Sequence, residues 1–510
     1  MPLIDLNNSL NTFKVSEYDT TIIGAGAAGI LLAVKLTQAG QKVLLIESGN
    51  FNENVDKQSL NNVVQTGKFL SNAIWGRKRV LGGTTTAWGG QSLPFTPFDF
   101  VKKKWIPLSG WPISYKELEP YYSSANAFMN IDTLNYHDEI FHKIKIKEPL
   151  VDKNLINFHV AKWANEPNFF ILYKYFLEQY VTILYNAQLV EVQKDDNNTI
   201  YQIIISNFKK EQFKLPINKL ILTSGTIETI RILLTNDVVS KISKQWIGKC
   251  FMEHPCIEIG KVIPANTYNL QRIFNTHFAK DKKYSIRLSL SDSIQSKYEL
   301  LNCSASLMFK HIKNKVDIYT ELKMFKNDYQ LNRLLKITRC SPLLFKSVFA
   351  FFKHNFYYKA NTEAVLVLMV EQEPSLESYV GIDNKKDVFG VPLAKLNWHI
   401  SYKTWSTVLK ISEIITNEFK RLNLGKVDIN PLININNKRW SQSLSDVNHH
   451  MGGTRISATE NMGVVDSDLK VWGVNNLYIC SCSVFPTSSH SNPTLTMLAL
   501  GIRLSDHIQK

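Results

Sequence analysis

The stretch YDTTIIGAGAAGILLAVKLTQAGQKVLLIESG, residues 18–49, decides the fold of the N-terminal part of this 510-residue chain. It predicts a buried strand, a tight glycine turn, a helix and a second strand that ends at Glu47. Gly24 would make the turn, Gly26 would let a pyrophosphate approach the backbone, and Gly29 would let the helix pack on the strand. These elements in this order predict a Rossmann-like unit that binds a dinucleotide.

Glu47 adds information about the nucleotide. It lies eighteen residues after Gly29, at the end of the second predicted strand, where a carboxylate accepts hydrogen bonds from a ribose diol. An acid at this position argues against a cofactor with a 2′-phosphate. The same residue does not separate FAD from NAD.

The length and composition of the chain limit the number of domains and the classes of partner that can be expected. With 44% hydrophobic and 20% charged residues, a chain of this length can bury a large core and is expected to form two domains. The net charge of +15 favours anionic partners, but no nucleic-acid-binding module is visible, so nucleic acid is not expected.

Six irregularly spaced cysteines predict neither a disulfide framework nor a metal site. Without a secretory signal or an apolar run long enough to span a membrane, the chain is expected to be cytoplasmic.

A second glycine-rich loop follows the first unit. The stretch WGRKRVLGGTTTAWGGQSLPFTPFDF, residues 75–100, holds Gly82, Gly83 and Thr84 within a run of glycines and threonines. Glycines have no Cβ, so the backbone N–H groups of such a loop can lie directly against a planar or phosphorylated ligand. The alternative is an ordinary surface loop.

Together with later motifs, this loop resembles the glucose-methanol-choline (GMC) flavoenzymes, in particular the branch of pyranose oxidases and bacterial sugar and polyol dehydrogenases. The other motifs are WIPLSGWPISYKELEPYY, KLILTSGTIETIRILLTN, IGKCFMEHP and a closing segment that begins HHMGGTRIS. The resemblance implies an α/β (α+β) fold with a Rossmann-like FAD-binding domain and a substrate domain whose antiparallel sheet is backed by helices.

The resemblance also implies how the domains divide the chain. The FAD-binding domain is expected to be discontinuous and to comprise residues 1–100, 181–257 and 440–510. The substrate-binding domain is expected to comprise residues 101–180 and 258–439.

Cofactor contacts follow from matching positions. The residues implied to bind FAD are Gly24, Gly26, Gly29, Glu47, Gly82, Gly83, Thr84, Val190, Ser224, Gly225, Ser481, Pro493 and Thr494. Two positions depart from the family pattern. Ala87 stands where pyranose oxidases carry the histidine that bonds to the flavin, so FAD is expected to be non-covalent. Ser481 stands where many relatives have an aspartate near the cofactor.

The closing segment supplies the predicted chemistry. The family carries a histidine three residues before the glycine of a Gly-Thr pair, and Gly453 with Thr454 places His450 there. The second active-site position falls on Asn492. His450 is therefore predicted to take the hydroxyl proton of an alcohol, while Asn492 holds its oxygen. His449 is the less favoured alternative.

Two further histidines are assigned other roles. His490, two residues before Asn492, is a candidate for substrate contact. His254 is interpreted as structural.

Residues 331–359 form a basic, apolar insertion in the substrate half. They contain no Asp or Glu and combine Arg and Lys with many aromatic residues and leucines. Pro342 is expected to divide the segment. This composition fits either an interfacial helix that lies on a membrane surface or a partly buried lid.

The sequence thus predicts an FAD-dependent oxidoreductase that oxidises a CH–OH group of a sugar, polyol or glycoconjugate. The alternatives are a flavoenzyme for a sterol or another apolar alcohol, and a flavin-binding protein without turnover. The electron acceptor is not identified by any motif.

Overall fold

A computed structural model of the chain describes residues 3–8, 17–136, 138–313, 324 and 341–510. Its strands are β1 Leu3–Asp5, β2 Thr20–Ile23, β3 Val43–Ile46, β4 Val63–Gln65, β5 Gln91–Ser92, β6 Ile156–Trp163, β7 Thr182–Tyr185, β8 Gln188–Lys194, β9 Ile200–Ser206, β10 Gln212–Pro216, β11 Leu220–Leu222, β12 Cys256–Pro264, β13 His277–Ala279, β14 Lys282–Leu290, β15 Cys303–His311, β16 Thr362–Val370, β17 Tyr379–Lys386, β18 Pro392–Asn397, β19 Gly425–Ile429 and β20 Leu477–Ile479.

The α-helices of the described residues connect and cover these strands. They are Ala27–Gln38, Val55–Gln58, Pro97–Phe100, Tyr115–Phe128, Asp138–Lys143, Phe169–Tyr180, Thr226–Thr235, Lys241–Lys244, Thr267–Phe274, Asp292–Tyr298, Ser341–His354, Tyr402–Arg421 and Thr494–Ile508. Among these helices, none has both the length and the apolar character needed to cross a bilayer.

A six-stranded parallel sheet holds the N-terminal unit. Its order is β1-β7-β3-β2-β11-β20, and every neighbouring pair runs in the same direction. Strands β2 and β3 are fully buried and flank the helix Ala27–Gln38, as the opening stretch predicts. The last two strands, β11 and β20, come from distant parts of the sequence. A parallel sheet gathers the carboxyl ends of its strands at one edge, which is where ligands bind in such folds.

An eight-stranded antiparallel sheet forms the second layer of the molecule. Its path is β19-β12-β16-β15-β14-β6-β5, and β13 pairs with β14. The long helix Tyr402–Arg421 buries one face, including Trp405 and Phe419, and packs on β19, β16 and β15. The predicted α/β fold with a parallel sheet and a helix-backed antiparallel sheet is therefore confirmed.

Several elements link the two sheets across the expected domain boundaries. Strands β4 and β5 precede residue 101 and were expected in the FAD-binding domain. Strand β5 nevertheless belongs to the antiparallel sheet, and β4 pairs in parallel with β18 of a small third sheet. The helix Phe169–Tyr180 packs on the helix Ala27–Gln38. The division of the chain into two domains stays a prediction. These contacts show that segments expected in one domain pair with or pack on elements expected in the other.

The basic insertion is only partly described. Residues 331–340 lie outside the described residues, and the helix Ser341–His354 carries Pro342 in its first turn. Proline is tolerated there because the first N–H groups of a helix have no intrahelical acceptor.

Candidate functional site

A cavity of about 800 Å³ runs along the edge of the parallel sheet, within the range of roughly 300–1,000 Å³ that is typical of ligand and cofactor sites. Gly24 and Gly26 of the glycine turn line it, and so does Asn492. A Cβ added to Gly26 would meet no protein atom within 4 Å, so the backbone faces open space. A Cβ added to Gly29 would lie 1.9 Å from the carbonyl oxygen of Gly24, so this residue serves the packing of helix on turn.

Glu47 braces the glycine turn. Its Oε2 accepts a hydrogen bond from the backbone N–H of Ala25 at 2.9 Å, and its Oε1 accepts one from Gly49 at 2.8 Å. Burial raises the pKa of this carboxyl despite both bonds. Glu47 also lines the cavity, so a ligand hydroxyl has access to the same carboxylate that holds the turn.

The second glycine loop packs against the first. A Cβ on Gly83 would lie 2.8 Å from Cα of Gly26, and the backbone N–H of Gly82 donates to the carbonyl of Ala25 at 2.9 Å. Gly83 and Thr84 line the cavity, whereas Gly82, with φ of 98°, lies behind it. The close approach of the two loops explains why both are glycine-rich.

The neighbouring segments complete the wall. Ser224 and Gly225 line the cavity at the start of the helix Thr226–Thr235. Val190 does not line it; Gln188 and Leu189 do. The pairing of β8 with β9 shifts register between Leu189 and Glu191, and this irregularity leaves Val190 half-buried away from the cavity.

The C-terminal helix points its N-terminus at the cavity. Pro493 occupies the N-cap of the helix Thr494–Ile508, and both Pro493 and Thr494 line the cavity. Ser481 also lines it, and its hydroxyl lies 2.5 Å from that of Ser483. The helix N-terminus therefore brings partial positive charge to this end of the site.

His449, not His450, lies beside Asn492. Nδ2 of Asn492 is 3.4 Å from Nε2 of His449, and both residues line the cavity. Nδ1 of His449 is 2.9 Å from Nδ1 of His254. The position beside Asn492 that the sequence predicts for His450 is thus taken by its neighbour.

The hydrogen bonds fix the tautomers of this chain of rings. Nε2 of His254 lies 2.8 Å from the carbonyl oxygen of Ser489, which only accepts, so this nitrogen carries the proton. Nδ1 of neutral His254 is then an acceptor, and Nδ1 of His449 must donate to it. The remaining nitrogen of His449, Nε2, therefore keeps its lone pair and faces Asn492, which is the arrangement a general base requires.

His450 lies on the other side of the backbone. Its Nε2 is 3.6 Å from Oε2 of Glu253, its ring rests at 5.9 Å from that of Phe251, and its carbonyl accepts from Thr226. Both histidines line the cavity, but the hydrogen bond to Asn492 is made by His449. Burial and Arg77 lower its pKa to about 3.

Electrostatics keep the histidines neutral. Burial first, and then the charges of His254 and Arg287, hold the pKa of His449 well below its ordinary value. Burial also lowers the pKa of His254 to about 4. A neutral imidazole has the lone pair that proton abstraction needs, so His449 is in its active form at neutral pH.

His490 takes no part in the wall of the cavity. Its ring stacks on that of His159 at 5.4 Å, and burial lowers its pKa to about 3. The cavity is lined by Asn492 two residues later, while His490 points into the antiparallel sheet.

Glu253 is a residue of this site that the sequence did not reveal. Its Oε1 accepts from the backbone N–H groups of His449 at 2.7 Å and His254 at 2.9 Å, so one buried carboxyl positions both rings. Burial raises its pKa to about 8. The motif IGKCFMEHP contained Glu253 and His254, but only the pairing of Met252 with Met451 brings them to His449.

Comparisons with known proteins find a family model for part of the chain and curated relatives over short stretches. The family model described as GMC oxidoreductase matches residues 374–501. C-glycoside 3-oxidase of Microbacterium trichothecenolyticum is 29% identical over 25% of this chain and 23% of its own, and paromamine 6'-oxidase of Streptomyces fradiae is 31% identical over 21% and 22%. The chain thus matches less than a quarter of the length of these curated relatives.

Solved structures extend the likeness of fold over the whole chain. Formate oxidase of Aspergillus oryzae RIB40 is similar with a TM-score of 0.57 and 16% identity over 98% of this chain and 99% of that one. Pyridoxine 4-oxidase from Mesorbium loti is similar with a TM-score of 0.56 and 12% identity over 96% and 99%. The C-terminal segment of the chain is thus similar to GMC oxidoreductases, and nearly the whole chain shares the fold of formate oxidase and pyridoxine 4-oxidase.

Proposed function

We propose that this protein is an FAD-dependent oxidoreductase that oxidises a CH–OH group of a sugar, polyol or glycoconjugate. The observation that carries the proposal is the unprotonated Nε2 of His449 beside Asn492, in the same cavity as the glycine turn at Gly26. The matched relatives named for C-glycosides and paromamine support a sugar-like substrate.

The residues that line the cavity fit FAD. Gly26 and Gly225 leave open space before the backbone, which suits the pyrophosphate, and Glu47 suits the ribose diol. Bound FAD would supply the acceptor of the substrate hydride. Ala87 lines the cavity where a histidine would be needed for the covalent bond seen in pyranose oxidases, so we propose that FAD is held without one.

Two side chains of the cavity wall act on the substrate. Nε2 of His449 takes the hydroxyl proton, and an N–H of the Asn492 amide donates a hydrogen bond to the alcohol oxygen. Oδ1 of Asn492 is buried and has no hydrogen-bond partner among the described residues, so it can accept a hydrogen bond from a second hydroxyl of a ligand. The N-terminus of the helix Thr494–Ile508 stabilises negative charge that develops beside it.

Anaerobic spectroscopy tests the proposal. The purified protein should carry FAD that acid denaturation releases completely into solution. Sugars, polyols or glycosides should bleach its absorption band in the absence of oxygen. Bleaching by long-chain alcohols or sterols alone would replace the sugar with an apolar substrate, and a band that no alcohol bleaches would contradict the oxidoreductase.

We further propose that the helix Ser341–His354 rests on an anionic membrane surface. Four exposed apolar side chains follow one another at spacings that share one helix face: Phe345, Val348, Phe349 and Phe352. Lys346 and Lys353 border this face, and residues 331–359 hold no acidic side chain. Apolar residues with flanking cations fit the boundary between acyl chains and anionic headgroups.

Vesicle binding checks this surface. We expect sedimentation with vesicles of phosphatidylserine and phosphatidylcholine but not with phosphatidylcholine alone. The double variant Phe345→Ser and Phe352→Ser should weaken binding by at least about tenfold, because burying each ring contributes roughly 1.5–3 kcal/mol. The matched control Leu150→Ser with Tyr175→Ser removes two equally exposed apolar groups elsewhere. Equal loss in both variants, or self-association of the protein in place of vesicle binding, would contradict a membrane site.

A further inference from the structure

Arg287 lies next to the reaction site on the antiparallel sheet, and the chemistry described above does not use it. It sits on β14 directly opposite His159 of β6, so both side chains project from the same face of the sheet. Its Nη2 donates to Oε1 of Gln91 at 2.6 Å, and its Nη1 donates to the hydroxyl of Ser304 at 3.3 Å. Gln91 lines the cavity.

The positive charge of Arg287 has no acidic partner among the described residues. The two bonds above use two of the five N–H groups of the guanidinium. Among the described residues, Nε is buried without a hydrogen-bond partner, and the guanidinium forms no ion pair with a carboxylate. Burial lowers the pKa to about 10, which leaves the side chain charged at neutral pH. A largely buried cation without a counter-ion is costly, so a ligand that neutralises it gains binding energy.

Arg287 is close enough to act on the site electrostatically. Its charge lowers the pKa of His449, His254 and His490. Polar groups also extend from Arg287 to the cavity. Gln91 and Trp163 line the cavity, and both donate hydrogen bonds to the hydroxyl of Ser285, at 3.0 and 2.9 Å. A substrate held at His449 would therefore reach this surface with its neighbouring groups.

We propose that Arg287, which does not itself line the cavity but donates a hydrogen bond to Gln91 of its wall, forms with Gln91 a subsite for an anionic group, a carboxylate or a phosphate, on the substrate. This rests on the proposed function and narrows its substrates to hydroxylated acids or phosphate esters. A guanidinium suits both anions because its planar N–H groups match their paired oxygens. Gln91, whose Oε1 now accepts from Arg287, holds the guanidinium at the edge of the cavity.

Equilibrium binding tests the subsite without turnover. The FAD-loaded protein is titrated with acetate and with inorganic phosphate, and binding is followed as a perturbation of the flavin absorption spectrum. We expect Arg287→Gln to weaken binding about tenfold to a hundredfold, which is the range for hydrogen bonds to a charged group. Arg287→Lys should retain part of the affinity because it keeps the charge.

Two controls separate the subsite from indirect effects. Arg439→Gln removes the same charge from an exposed position and should bind like the wild type. Melting temperature and FAD content report whether Arg287→Gln folds. If it does not fold, the subsite is tested by comparing the anion affinity of Arg287→Lys with that of the wild type. Anions that bind the wild type and Arg287→Gln equally, or that do not bind the wild type, would overturn the subsite.

A kinetic comparison then distinguishes the two anions. Anaerobic flavin reduction is measured with glucose, glucuronate and glucose 6-phosphate. Faster reduction by an anionic sugar than by glucose, with a loss in Arg287→Gln that is much larger for the anionic sugar than for glucose, supports the subsite and names its anion. Anion binding that depends on Arg287 without reduction by any alcohol would contradict the proposed oxidation and leave the subsite supported.

Discussion

Replacing His449 with alanine is expected to slow flavin reduction by an alcohol by at least about 10²-fold, the loss typical of a missing general base. The physical reason is the chain of tautomers that leaves Nε2 of His449 unprotonated beside Asn492. Stopped-flow absorbance under anaerobic conditions measures the rate. FAD content should stay unchanged, since the hydrogen bonds of the imidazole go to His254 and Asn492 and do not support the glycine turn.

His450→Ala is the matched control for this prediction. Its ring faces Glu253 and Phe251, so its removal should cost much less reduction rate than removal of His449. The wild-type rate should also stay constant from about pH 7 down to about pH 6.5, below the pKa of about 8 of Glu253, because the pKa of His449 is held well below 6.5 and the base stays neutral. A large loss in His450→Ala with little change in His449→Ala would return the role to His450.

Gly26→Ala is expected to fold normally and yet bind FAD about tenfold to a hundredfold more weakly. The backbone at Gly26 has φ of −86°, which alanine adopts without strain, and no protein atom lies within 4 Å of the added Cβ. The methyl group therefore intrudes only on the space for the ligand, where overpacking costs roughly 1–3 kcal/mol. Calorimetric titration of the apoprotein with FAD measures the loss.

Alanine variants of two other glycines serve as comparisons for Gly26→Ala. Gly29→Ala should destabilise the protein itself, because its Cβ would lie 1.9 Å from a backbone oxygen that cannot move aside. Gly381→Ala should change neither property, since its nearest neighbour is 3.9 Å away. If Gly26→Ala binds FAD as tightly as the wild type, the pyrophosphate does not lie at this turn.

The parallel sheet and its glycine turn were predictable because their signals are local. The stretch from Tyr18 to Gly49 contains both strands, the turn, the helix and the acid, and its apolar and glycine positions specify each element without help from distant residues. The C-terminal helix beginning near Pro493 was predictable for the same reason.

The choice between His449 and His450 was not local. Met451 pairs with Met252 in a short extended bridge, and successive side chains in extended backbone point to opposite sides. Only one of the two histidines can therefore face Asn492, and the long-range pairing decides which. Counting residues from a Gly-Thr pair contains no information about that pairing.

The sequence did not predict the roles of Arg287 and Glu253, because no local sequence pattern indicates the contacts that define these roles. Glu253 matters through bonds to backbone N–H groups almost two hundred residues away, and Arg287 through its place in a sheet whose neighbouring strands are far apart in sequence. The role of Val190 at the cofactor stays a prediction: the strand was identified from the sequence, but the register shift after Leu189 was not, and Gln188 and Leu189 line the cavity.

The most direct test of the account is a crystal structure of the protein with FAD and an unreactive alcohol analogue. We predict that the pyrophosphate lies at Gly26 and that the analogue's hydroxyl is within hydrogen-bonding distance of both Nε2 of His449 and the amide of Asn492, next to the flavin ring. A hydroxyl bound at His450 instead, or a flavin ring remote from Asn492, would contradict it.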